Sequence, residues 1–112
     1  MDLSPGVVAL CEFYFSDLAQ SKRRPVLVYR DNLPFDDFVG IPLSSKTARL
    51  HEDESLIEAS DFSWGQLPKT SKLMVRKTFV IAKSSVVKAY GQLSPLRYER
   101  VQRDFCCYFG CQ

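Results

Sequence analysis

The chain has 112 residues, of which 46% are hydrophobic and 25% are charged, and its formal net charge is +2. This length and composition are typical of one globular domain, so we expect a single domain over residues 1–112. A charge excess this small does not by itself indicate a nucleic-acid partner. The sequence holds no apolar run of 18 residues and no secretory signal at its start, so we expect no membrane span and a place in the cytoplasm.

The four cysteines indicate neither a disulfide framework nor a zinc site. Cys106, Cys107 and Cys111 lie within six residues, and the chain has no Cys-x-x-Cys pair. His51 is the only histidine, so a zinc site would need the distant Cys11 or carboxylates. We therefore expect reduced thiols, and neither a metal nor any other cofactor.

The first half of the chain predicts strands that are separated by polar segments. Strands rich in β-branched and apolar side chains are predicted at residues 6–13, 25–29 and 37–43. Residues 14–24 are polar without a helical period and predict a long loop. Pro25 is expected at the start of its strand, where a missing N–H is tolerated, and Gly40 and Pro42 favour a bulge or an edge position.

The second half of the chain predicts shorter strands with more loop between them. Strands are predicted at residues 55–59, 73–75 and 86–93, and residues 79–87 are consistent with either a helical turn or a strand. Residues 51–55 are rich in carboxylates and predict a solvated acidic tip. Residues 62–72 contain Gly65 and Pro68 and predict a loop.

The end of the chain predicts one helix. Ser94 is a favourable N-cap and Pro95 suits a first turn, so the helix is expected over residues 95–105. The apolar residues near one face of this helix are Leu96, Val101 and Phe105. Many short strands and one terminal helix predict a mainly β (α+β) fold, a small and strongly bent β-barrel with a C-terminal helix.

Three stretches of sequence carry a resemblance to a known family. They are PGVVALCEFYFSDLAQSKRRPVLVY near the start, PLSSK in the middle, and GQLS just before the predicted helix. From about Pro5 to Phe105 the chain resembles the MazF/PemK toxins of bacterial type II toxin–antitoxin systems. The resemblance implies an SH3-like barrel of the MazF/PemK/CcdB type that forms a homodimer. It also implies a metal-independent endoribonuclease for single-stranded RNA, with a cognate antitoxin that covers the RNA channel.

The same resemblance assigns functional residues. The family's catalytic pair is the arginine before the strand-opening proline and a threonine or serine at the end of the next long strand, which are Arg24 and Ser44 here. The residues expected to bind substrate beside this pair are Lys22, Arg23, Ser45, Lys46 and Phe15. Arginine suits the chemistry because its planar guanidinium donates two hydrogen bonds to phosphate oxygens.

The base that accepts the 2′-OH proton stays open at the level of sequence. Histidine is the natural base near neutral pH, but His51 lies in the acidic segment, where a solvated side chain is expected. Some family members carry an acidic residue at a position that Arg76 or its neighbour occupies here, and Val7 replaces an acidic residue usual after the opening glycine. Arg24 is therefore assigned first to stabilisation of the transition state.

One function of another class is compatible with the same barrel. A catalytically weakened family member would act as a protein-binding module, with an antitoxin or a gyrase-type partner. The presence of Arg24 and of a hydroxyl at Ser44 favours the nuclease. Trp64 is consistent with a contact to antitoxin or RNA, or with a cap on the core.

Overall fold

The computed structural model describes residues 3–15 and 20–111, without the side chain of Phe15. Within these residues the chain forms short antiparallel strands and one α-helix. The elements are β1 (Val7–Phe15), β2 (Gln20–Leu33), β3 (Asp37–Ser44), β4 (Glu54–Ile57), β5 (Phe62–Gly65), β6 (Ser71–Met74), β7 (Phe79–Ala82), β8 (Val86–Leu93) and α1 (Pro95–Phe109). The sheet has the order β4-β6-β3-β2-β1-β8-β5, and β7 also pairs with β3. This curled half-barrel with a C-terminal helix confirms the predicted fold class.

The loop predicted for residues 14–24 is wrong at residues 14–15 and 20–24, which belong to β1 and β2, whereas residues 16–19 lie outside the described residues. Among the described residues, the part of β1 that follows Cys11 and the part of β2 that precedes Arg24 pair with each other and with no other strand. They form a two-stranded arm of residues 12–15 and 20–23, with Arg24 at its base. The residues of β2 in the arm are exposed, so cross-strand hydrogen bonding rather than burial holds them in a strand.

Pro25 lies inside β2 and not at its start. It pairs with Leu10 of β1, whereas the ladder between β2 and β3 begins one residue later, at Val26. Pro25 therefore sits where β2 has a single neighbouring strand, and a missing N–H is tolerated at such an edge.

Gly40 marks a close approach inside the barrel. A Cβ at this position would lie 2.5 Å from side-chain atoms of Ile81 and Val26, so only glycine fits. The register between β2 and β3 shifts beside it, after Val28, so an irregularity adjoins Gly40 as predicted, but the extra residue belongs to β2 and not to β3. The alternative of an edge position is wrong for Gly40, which pairs with β2 and β7, but it holds locally for Pro42, which pairs with β2 alone, between the residues of β3 that pair with β7 and with β6.

Two clusters of buried side chains lie on opposite faces of β1 and β2. One comprises Val8, Leu27, Ile41, Leu43, Ile57, Leu73, Val75, Leu93 and Val101. The other comprises Leu3, Val7, Ala9, Cys11, Val26, Val28, Phe38 and Ile81. Successive side chains of a strand alternate between faces. Arg24, which pairs with Cys11, therefore shares the face of the second cluster, whereas Arg23 belongs to the opposite face.

The predicted loop at residues 62–72 is replaced by β5 and the start of β6. Gly65 ends β5 with a φ of +71°, and a Cβ there would lie 2.1 Å from the carbonyl oxygen of Tyr90. Gly65 therefore allows β5 to approach β8 closely instead of breaking the strand. Residues 79–87, left open between helix and strand, form β7, a single 3₁₀ turn and the start of β8.

The acidic segment 51–55 is not a solvated tip, because the side chain of Glu54 is fully buried. Its carboxylate accepts hydrogen bonds from the backbone N–H of His51 at 2.8 Å, from Lys72 Nζ at 2.9 Å and from Arg76 Nη1 at 3.2 Å. Burial alone would raise the pKa of Glu54, but these three donors outweigh it and lower the pKa from 4.5 to about 2. The network ties β4 to β6 and to the turn that follows β6.

The helix α1 begins as predicted and runs four residues further. The Ser94 hydroxyl accepts a hydrogen bond from the backbone N–H of Arg97, the third residue of the helix, at 3.2 Å, and Gly110 ends the helix with a φ of +75°. Val101 is fully buried against the barrel, but Leu96 is 80% exposed, so the prediction that it shares the packed face is wrong. In the part of the chain that the structure describes, no helix is long and apolar enough to cross a membrane.

Candidate functional site

A pocket of about 660 Å³ opens where the end of β3 meets the base of the β1–β2 arm. The structure brings together here four of the residues predicted for the site: Arg24, Ser44, Ser45 and Lys46. Arg24 reaches the pocket from β2, and the other three come from the last residue of β3 and the bend that follows it. Residues that are 20 positions apart in sequence thus share one wall because β2 and β3 pair as antiparallel neighbours.

The run Lys22-Arg23-Arg24 is divided by strand alternation. Arg24 is exposed and lines the pocket, whereas Arg23 does not line it. Arg23 Nε lies 2.7 Å from Glu12 Oε2, and Tyr14 donates its hydroxyl to the other carboxylate oxygen at 2.6 Å. These hydrogen bonds, from Tyr14 and then from Arg23, lower the pKa of Glu12. Arg24 is therefore left to face the pocket while its neighbour forms an ion pair on the opposite face.

Two other residues of the arm, Lys22 and Phe15, were predicted to bind substrate. Lys22 is exposed, pairs with Phe13 across the arm and is not among the residues that line the pocket. The side chain of Phe15 and residues 16–19, which complete the family motif of the first block, lie outside the described residues. Their contribution to substrate binding stays a prediction.

Ser44 and Ser45 both line the pocket. Strand alternation would send at most one of two neighbours there, but β3 ends at Ser44 and the backbone bends at Ser45, so the alternation no longer applies. The Ser44 hydroxyl accepts a hydrogen bond from the backbone N–H of Lys46 at 3.2 Å. Since this bond uses a lone pair, the O–H proton of Ser44 is left to donate to an anionic oxygen.

Two further cations line the pocket that the sequence did not single out, Lys69 and Lys77. They flank β6, which pairs with the end of β3 through Leu43 and Ser44. No local motif marks either lysine, because the pairing of β6 with β3 is what carries them to the site. With Arg24 and Lys46 they give the pocket four cationic side chains, and its described lining contains no carboxylate and no imidazole.

An aromatic wall completes the pocket. Phe13, Phe79 and Tyr90 line it, and the rings of Phe13 and Phe79 pack with centroids 5.7 Å apart. Phe79 is 36% exposed and so presents ring surface to solvent. A groove that combines cations with exposed aromatic rings is suited to single-stranded nucleic acid, since phosphates meet the cations and bases stack on the rings.

His51, weighed from the sequence as a base, and Arg76, at or beside a position that is acidic in some family members, both lie elsewhere. The side chain of His51 is exposed and His51 does not line the pocket. Arg76 forms ion pairs with Asp53 Oδ1 at 2.9 Å and with Glu54 Oε2 at 3.2 Å, so it stabilises the β4–β6 corner. The acidic segment lies off the pocket, as expected from its charge.

The fold and the site together define a class: a small, curled β-barrel with a basic pocket whose shape and charge suit a phosphate-bearing strand. Residues 4–109 match the model of the family described as PemK-like, MazF-like toxin of type II toxin–antitoxin system. The chain therefore belongs to the PemK-like, MazF-like toxin family. Among curated proteins, none is significantly similar in sequence.

Solved structures of the same fold include toxins and toxin–antitoxin complexes. An endoribonuclease in complex with its cognate antitoxin from a mycobacterial species is similar with a TM-score of 0.74 at 17% identity, over 97% of this chain and 96% of that chain. The Mycobacterium tuberculosis toxin MazF-mt6 is similar with a TM-score of 0.68 at 15% identity, over 93% of this chain and 98% of that chain. MazE-MazF from Deinococcus radiodurans is similar with a TM-score of 0.74 at 14% identity, over 97% of each chain. Identities this low establish the shared fold.

Proposed function

We propose that this protein is the toxin of a type II toxin–antitoxin system and acts as a metal-independent endoribonuclease on single-stranded RNA. The observation that carries the proposal is the meeting of Arg24 and Ser44 in one pocket with Lys46, Lys69 and Lys77. This arrangement offers permanent positive charge and a hydroxyl donor to a phosphate. Cleavage of mRNA would stop translation and growth, which is the action expected of a toxin.

The proposed reaction begins when the 2′-OH of a ribose attacks the adjacent phosphorus and loses its proton to water, since the described lining holds no carboxylate or imidazole. Negative charge then develops on the oxygens of the phosphorane, and in this proposal Arg24, which lines the pocket, donates hydrogen bonds to two of them. The Ser44 hydroxyl forms a hydrogen bond with one of these oxygens or with the attacking 2′-OH and keeps its proton. The P–O5′ bond then breaks, and the 5′ oxygen takes up a proton and leaves, which gives a 2′,3′-cyclic phosphate and a 5′-hydroxyl. Loss of one such donor typically costs about 10²–10³ in rate.

The role of the remaining residues is to bind the RNA strand. Lys46, Lys69 and Lys77 pair with phosphates on either side of the bond that is cut. Phe13 and Phe79 offer ring faces on which a base can stack. We propose further that the protein works in the cytoplasm as a homodimer and is inhibited by a cognate antitoxin that covers this pocket.

The test is to incubate the parent protein and two matched variants with a long single-stranded RNA in excess EDTA. The ends of the products are then mapped. Arg24→Ala should abolish cleavage while folding is retained, since the side chain is exposed. Arg23→Ala removes the same group one residue away, from the opposite face, and should cost far less. Equal activity of Arg24→Ala and the parent protein would overturn the site assignment. No cleavage by the parent protein would favour a protein-binding role instead.

A further inference from the structure

The C-terminal end of α1 brings two cysteines together. Gly110 has a φ of +75°, and the backbone N–H groups of Gly110 and Cys111 both donate to the carbonyl oxygen of Cys106, at 2.8 and 3.0 Å. This is the glycine-capped turn in which the chain folds back over the last helical turn, so that the residue after the glycine contacts the side chain five positions earlier. Both residues of that contact are cysteines here, Cys106 and Cys111.

The side chains of these two residues are in contact as the backbone predicts. The thiols of Cys106 and Cys111 share a hydrogen bond, which raises the pKa of Cys106. Cys111 is exposed and Cys106 is partly exposed, so both can be reached from solvent. The neighbouring Phe105 stacks on Tyr29 of β2 with ring centroids 4.2 Å apart, which holds the end of the helix against the barrel.

We propose that Cys106 and Cys111 form a reversible disulfide that closes the C-terminal turn of α1. The oxidant is a low-molecular-weight disulfide such as oxidised glutathione. The thiolate of one cysteine attacks a glutathione sulfur and displaces one glutathione thiolate, which gives a mixed disulfide. The second cysteine then attacks the protein sulfur and displaces the other glutathione. Two protein thiols are oxidised to one disulfide, and one glutathione disulfide is reduced to two thiols.

The geometry excludes the other pairings within the described chain. Cys107 follows Cys106 on the helix and therefore points about 100° away around the axis, out to solvent. Cys11 is fully buried in the barrel, and burial raises its pKa to about 11, so it is closed to exchange. This pair of cysteines is independent of the RNA pocket, so the test of the disulfide uses no RNA.

The experiment treats the native protein with oxidised glutathione, alkylates the remaining thiols, digests with trypsin and examines the peptide of residues 104–112 by mass spectrometry. We expect this peptide to lose two hydrogens and to carry a single alkyl group, on Cys107. The variant Cys107→Ser should still form the bond, whereas Cys106→Ser and Cys111→Ser should each lose it. In urea the chain is unfolded, and the preference for this pair should disappear.

Gly110→Ala tests the turn itself. A Cβ at Gly110 would meet nothing within 4 Å, so the substitution acts only through the positive φ, which alanine disfavours. We expect the bond to form about tenfold more slowly in this variant, because the turn that joins the thiols is populated less. An unchanged rate would show that the turn does not bring the thiols together. A bond that involves Cys107, a disulfide between chains, or no bond at any concentration of oxidant would overturn the proposal.

Discussion

At the scale of single residues, the proposed reaction requires a guanidinium at position 24 and not merely a positive charge. Arg24 and Arg23 are neighbours in sequence, yet only Arg24 lines the pocket, because alternation directs Arg23 to Glu12. If Arg24 holds two phosphorane oxygens at once, the point charge of a lysine cannot replace its planar fork. Arg24→Lys should therefore lose about 10²-fold in the single-turnover rate of RNA cleavage while binding RNA nearly as well. A lysine variant within a few-fold of the parent rate would contradict a bidentate contact.

The two serines at the end of β3 give a second prediction at this scale. Ser44 is partly buried, and its oxygen is oriented by the N–H of Lys46, whereas Ser45 is exposed in the bend. An oriented hydroxyl that donates to a charged oxygen contributes about 1.5–3 kcal/mol. Ser44→Ala should therefore lower the single-turnover rate by about tenfold or more, Ser45→Ala should cost less, and Ser44→Thr should be tolerated because it keeps the hydroxyl. If the two alanine variants came out in the reverse order, the catalytic assignment would move to Ser45.

At the scale of elements, the Glu54 network joins β4 to β6 and so fixes the strand that carries Lys69 and Lys77 to the pocket. The pKa of Glu54 is 4.5 in the unfolded reference and about 2 in the folded protein. Its contribution to stability is therefore complete above pH 4.5 and is lost as the pH falls from 4.5 towards 2. Between about pH 6 and about pH 3, this group alone should lower the free energy of unfolding by about 2 kcal/mol.

Urea unfolding of the parent and of Glu54→Gln at several pH values measures this loss. The variant should be less stable by about 3 kcal/mol at neutral pH, because Lys72 and Arg76 lose a buried partner. It should also depend less steeply on pH in the acid range. Parallel pH profiles for the two proteins would mean that Glu54 does not titrate in this window.

Elements with strong local signals were predictable from the sequence, and those that depend on distant pairing were not. The bounds of β8 were predicted to the residue, and Ser94 marked the start of α1, because alternation and capping are local properties. Residues 20–24 gave no strand signal, since their polar side chains are held by pairing with β1. The burial of Glu54 could not be foreseen either, because its partner Lys72 lies on another strand. The same reason hid Lys69 and Lys77, whereas Arg24 and Ser44 belong to local motifs.

At the scale of the whole molecule, a single chain leaves much apolar surface exposed. Val80 is 59% exposed, Leu96 is 80% exposed, and Tyr108 and Phe109 are each about half exposed. The homodimer that we propose would bury part of this surface, and two-fold homo-oligomers are the commonest assembly. Sedimentation at micromolar concentration should give about twice the chain mass of 12.8 kDa, and high salt should not change it, since apolar contacts are not screened. A mass near that of one chain would contradict the dimer.

The charge of the molecule is nearly balanced, so the proposed RNA binding would depend on the local excess at the pocket rather than on the net charge of +2. Four cations line the described pocket, and each phosphate contact on a single strand adds about −0.7 to the slope of log K against log salt. We expect a slope of about −3 for a single-stranded RNA that is blocked at its 2′ positions so that it binds without being cut. Lys77→Ala should make the slope shallower by about 0.7, whereas Lys83→Ala, which removes a lysine that is paired with Asp31, should leave it unchanged. Fluorescence anisotropy over a range of salt concentrations measures both slopes. If both variants shifted the slope equally, the RNA would be held by diffuse charge, and the pocket would not be where its phosphates bind.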